Sequence, residues 1–91
     1  MRKPIKLAAA LKYEQDGTEA PIVIASGRGE IAGKILQIAQ EENVPVYKDQ
    51  SLAQLLVSIE MNTEIPSELY QAVAQIIAFI WQIDKKYAGG N

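Results

Sequence analysis

Residues 3 to 13 read Lys3-Pro-Ile-Lys-Leu-Ala-Ala-Ala-Leu-Lys-Tyr13. Ile5, Leu7, Ala9, Leu11 and Tyr13 alternate with Lys6, Ala8, Ala10 and Lys12, and a period of two specifies a strand. The charged Lys6 and Lys12 end the second row, and its middle is Ala8 and Ala10. Alanine lets another backbone come close, so this row is suited to lie under a packed helix. With both faces covered, the stretch reads as the first and central strand of a small sheet.

The rest of the chain is read outward from it. Glu14 to Glu19 is a polar connection with Gly17 at its tip. Pro21 leads into Ile22-Val-Ile-Ala25, a β-branched run expected to be a buried strand. Ser26-Gly-Arg-Gly29 closes it and opens a helix whose apolar face is Ile31, Ile35, Ile38 and Ala39. Val44-Pro-Val-Tyr47 is expected as a very short third strand. Asp49 or Ser51 caps a second helix through Leu52, Ala53, Leu55 and Leu56. After the polar break Met61 to Glu64, Pro66 starts a last helix ending near Lys85. The expectation is an α/β fold: a small three-stranded mixed sheet with about three helices around it, in the order β-β-α-β-α-α. One domain covers residues 1–87, and residues 88–91 form a tail.

The last helix has an unusually wide apolar arc. Leu69, Val73, Ile76, Ile80 and Ile83 make one row, and Tyr70, Ala74, Ile77 and Trp81 make a second beside it. Either both rows are core, or the second lines an open docking groove with small Ala74 at its floor. Exposed apolar area at this helix separates the two.

Composition narrows the function. Ninety-one residues make one modest core. The net charge is −2 with acids and bases interspersed, so no basic face for nucleic acid is expected. The chain has no cysteine and no histidine, which removes disulfides, thiol catalysis, histidine bases and most zinc sites. No metal, cofactor or catalytic residue is expected. The longest apolar run near the C-terminus is interrupted by Gln75 and Gln82, too short and polar for a spanning helix. Gly27, Arg28 and Gly29 loosely resemble a phosphate loop, but the glycine spacing through Gly33 is G-x-G-x-x-x-G and no Lys-Ser/Thr follows. A tight turn needing positive φ, with Gly33 allowing close helix packing, accounts for the same residues.

Several stretches, in order, carry a resemblance. They are Lys3-Pro4, Ala10-Leu-Lys-Tyr13, Ala20-Pro-Ile-Val23, Gly27-Arg-Gly29, Glu42-Asn-Val-Pro-Val46, Leu52-Ala53 and Ile65-Pro-Ser-Glu-Leu-Tyr-Gln-Ala-Val-Ala74. Together they resemble the C-terminal cytoplasmic domain of the FlhB/YscU family of flagellar and type III secretion export proteins. Family members carry a membrane-embedded N-terminal half and cleave themselves at an Asn-Pro-Thr-His motif, where the asparagine amide attacks its own carbonyl. The motif positions fall on Lys3, Pro4, Ile5 and Lys6. Pro4 matches, but a lysine side chain cannot form the cyclic imide, so no self-cleavage is expected. The chain thus reads as a free-standing, cytoplasmic relative of the cleaved fragment, without direct membrane insertion.

The resemblance further implies a sheet that normally gains one more strand, hence an edge open to strand addition. It implies an apolar docking patch at Ala20, Pro21, Ala74 and Ile77, with export substrates and export-gate proteins as partners. The expected function is a non-enzymatic accessory of protein export. The alternative is a small regulatory domain binding an anionic ligand at the Ser26–Gly29 turn.

Overall fold

The computed structural model describes residues 5–14 and 19–88. Lys3 and Pro4, the loop tip at Gly17, residues 89–91 of the tail, and the side chains of residues 83–88, Ile83, Lys85 and Lys86 among them, lie outside the described part.

The chain forms β1 (Leu7–Lys12), β2 (Ile22–Arg28), α1 (Glu30–Glu41), α2 (Gln50–Leu56), β3 (Thr63–Glu64), a 3₁₀ turn (Ser67–Leu69) and α3 (Tyr70–Ala88). The three-stranded sheet with helices around it is as expected. Its strands run in the order β1-β2-β3, both pairs antiparallel. β2, not β1, is therefore the central strand, and the sheet is antiparallel, not mixed.

Ala8 pairs with Gly27 and Ala10 with Ala25, giving the sheet one face of small residues. α1 packs on that face: a Cβ added at Gly27 meets Ile31 Cβ at 2.7 Å. The close approach thus falls at Gly27, whereas a Cβ at Gly33 meets nothing within 4 Å. Of the face read from hydropathy, Ile35 and Ala39 are half-buried, and Ile31 meets Gly27. Ala32 is fully buried while Ile31 and Ile38 are each 57% exposed, because a floor of small side chains selects the small helix residue. On the opposite face, Val23 joins Leu52 and Leu56 of α2, Ile65, and Val73 of α3 in the core. Ala9, Leu11, Ile76 and Ile77 pack around them. A register shift between Ala10 and Leu11 leaves Ile24 as the bulged residue opposite them, and it is partly exposed.

The third strand is not at Val44–Tyr47, which joins no strand of the sheet and is exposed. Asn43 adopts φ 57°, and the Asn43 and Val44 N–H groups donate to the Gln40 and Ala39 carbonyls. This left-handed cap ends α1 and turns the chain away from the sheet. Thr63–Glu64 takes the strand position instead. Asn62, at φ 66°, turns the chain in, and its N–H donates to the Val23 carbonyl. The Ile65 N–H donates to the Pro21 carbonyl at 2.9 Å. Asp49 caps α2, accepting from the Leu52 N–H at 3.0 Å. Pro66 precedes the final 3₁₀ turn and α3, which runs to Ala88, beyond the expected end.

Candidate functional site

The second row of α3 is open. Tyr70 and Trp81 are 44% and 43% exposed, and Ala74 is exposed between them, while Ile77 is half-buried against the core. Tyr70, Ala74, Ile77, Ala78 and Trp81 recur at helical stride, so they line one side of a groove of about 710 Å³. The opposite side is the end of the sheet: Tyr13 and Glu14 leave β1, Glu19, Ala20 and Pro21 enter β2, and Glu64 belongs to β3.

The local chemistry explains the shape. Pro21 has no N–H, and its carbonyl is held by Ile65, so the segment before β2 is anchored where it lines the groove. The small side chains of Ala20, Ala74 and Ala78 leave room between the larger Tyr13, Tyr70 and Trp81. The four residues named for docking, Ala20, Pro21, Ala74 and Ile77, all line this one groove. The reading of both rows of α3 as core is therefore not what the fold does.

Sequence reasoning missed Tyr13, Glu14, Glu19, Glu64 and Ala78 as lining residues. Ala78 follows Ala74 by four and was within reach of the helical pattern. Glu64 was not, because its strand had been placed elsewhere. Among the described residues, the three glutamates of the lining are matched by no lysine or arginine in it.

The Gly27–Gly29 region has a different character. Ser26, Gly27 and Arg28 belong to β2, which extends beyond the expected Ala25. Gly29 is the turn, with φ 60° as expected, and its N–H already donates to the Lys6 carbonyl at 2.8 Å. Arg28 is exposed, and Glu30 puts a negative charge in the first turn of α1, which opposes an anion there. Of the motif positions Lys3, Pro4, Ile5 and Lys6, the described pair Ile5 and Lys6 is exposed ahead of β1. Among the described residues no cluster of metal-ligating side chains occurs, and no helix is long and apolar enough to cross a membrane.

Three comparisons bear on this arrangement. The model of the FlhB HrpN YscU SpaS family matches residues 1–80. The chain is 38% identical over 82 residues to YlqH of Bacillus subtilis (strain 168), covering 90% of this chain and 88% of that one. It is 42% identical over 84 residues to the flagellar biosynthetic protein FlhB of Aquifex aeolicus (strain VF5), covering 91% of this chain and 24% of that protein. The chain thus spans about a quarter of the length of the FlhB relatives it matches. The crystal structure of the cytoplasmic domain of FlhB from Shewanella putrefaciens superposes with a TM-score of 0.76 at 35% identity, over 84% of this chain and 64% of that one.

Proposed function

The chain belongs to the FlhB HrpN YscU SpaS family of flagellar and type III export proteins, and from that premise we propose that it binds export substrates or export-gate components through the groove between α3 and the start of β2. It works at the cytoplasmic face of the export apparatus and is not an enzyme. The observation that carries the reading is the convergence of Ala20, Pro21, Ala74 and Ile77 on one solvent-open groove. Ala20 and Pro21 lie some fifty residues away in sequence from Ala74 and Ile77.

Self-cleavage is no part of this function, because Lys3 stands where the resemblance places the reactive asparagine. Among the described strands β1 pairs only with β2. Its outer edge is where a further strand from a partner would add.

The test is calorimetric titration of a purified rod- or hook-type export substrate into the wild type and the Ala74→Asp variant. Ala74 is exposed, so the substitution leaves the core intact. It places a charge among apolar lining residues, and binding is expected to be lost. Unchanged affinity in a folded variant sinks the assignment.

A further inference from the structure

The lining residues combine two chemistries. Ala74, Ile77, Pro21 and Trp81 offer an apolar trough, and the carboxylates of Glu14, Glu19 and Glu64 stand along the sheet side of it. The acids come from three separate segments, the exit of β1, the entry of β2, and β3. All three are exposed. Among its described residues the lining therefore holds three acidic side chains and no basic one.

Resting on the reading of this groove as a docking site, we propose that its occupant is a peptide segment in which an apolar side chain is flanked directly by lysine or arginine. The apolar side chain fills the trough between Ala74 and Trp81. A purely apolar segment laid across the groove would strip water from carboxylates and give nothing back. An acidic segment would add like-charge repulsion. A basic flank supplies each carboxylate with a charge-assisted partner, and Tyr70 and Trp81 offer ring faces to the same cations. The charge steers and selects, while the apolar contact holds.

The test uses short synthetic peptides that share a Phe-Leu centre and differ only in lysine, glutamine or glutamate flanks. Binding is followed by Trp81 fluorescence. At low salt the lysine-flanked peptide should bind more tightly than the glutamine-flanked one by roughly two- to fivefold for each carboxylate engaged. The preference should shrink as salt rises from about 0.01 M to about 1 M, which shortens the screening length from about 30 Å to about 3 Å. A Glu19→Gln/Glu64→Gln variant should lose most of the preference for lysine over glutamine flanks. Equal binding of all three peptides, all abolished by Ala74→Asp, overturns the inference about charge and leaves the groove reading standing. Binding that is insensitive to Ala74→Asp, or no binding by any peptide, overturns both.

Discussion

Replacing Gly27 by alanine puts a Cβ 2.1 Å from Ile31 Cγ2 and 2.7 Å from Ile31 Cβ. Carbon atoms in contact sit about 3.5–4.0 Å apart, so one of the two groups must move by more than about 1 Å. Rotating χ1 of Ile31 does not help, since the Cβ itself is too close and a β-branched side chain in a helix has one preferred rotamer. α1 must therefore shift off the sheet, and overpacking of this kind costs about 1–3 kcal/mol. Alanine recovers about 0.5–1 kcal/mol by restricting the unfolded chain. The net loss is then about 1–2 kcal/mol, which lowers Tm by roughly 5–15 °C in a domain of this size. Gly33→Ala is the internal control. It lies in α1 with nothing within 4 Å of the added Cβ, so it should stabilise by about 0.5–1 kcal/mol. Urea and thermal unfolding followed by far-ultraviolet circular dichroism measure both. A Gly27→Ala protein as stable as the wild type, or a Gly33→Ala protein that is less stable, refutes the placement of α1 against Gly27.

Other expectations follow from single contacts. Val73 is 1% exposed at the centre of the core, so Val73→Ala should cost about 2–3 kcal/mol through lost burial and a residual cavity, read from the urea midpoint. Asp49→Ala removes the side chain that accepts the Leu52 N–H and should cost about 1 kcal/mol, with hydrogen exchange rising first in α2. The purified chain should keep its intact mass on prolonged incubation, because Lys3-Pro4 offers no asparagine amide. A fragment cut between Lys3 and Pro4 in the mass spectrum would contradict this.

The parts of this molecule that were legible in the sequence are those set by short-range pattern. Ala8 and Ala10 announced a face for close helix packing because strand parity is local, and α1 sits there. The stride of Tyr70, Ala74, Ile77 and Trp81 announced the groove wall for the same reason. What pattern could not supply was the identity of the third strand. Thr63–Glu64 is two residues long and polar, with no period to detect, whereas Val44–Tyr47 is β-branched and looks the part. Its exclusion follows from the left-handed cap at Asn43, a conformation that any Asn allows but none requires. The face of α1 was only partly legible: Ile35 and Ala39 are half-buried, but Ala32 is the fully buried residue, because hydropathy rewards large side chains and the sheet opposite is built of small ones. The acids of the groove were unreadable as a group, since Glu14, Glu19 and Glu64 meet only once β2 and β3 pair.

If the proposed function holds, an export substrate sits in the groove itself. Trp81 is the single tryptophan of the chain, lines that groove and is 43% exposed, so its emission reports occupancy there without ambiguity. Titration with a tryptophan-free rod- or hook-type export substrate should give a saturating blue shift of Trp81 emission and protection from acrylamide quenching, both absent in Ala74→Asp. Binding seen by calorimetry while Trp81 emission and quenching stay unchanged would contradict it.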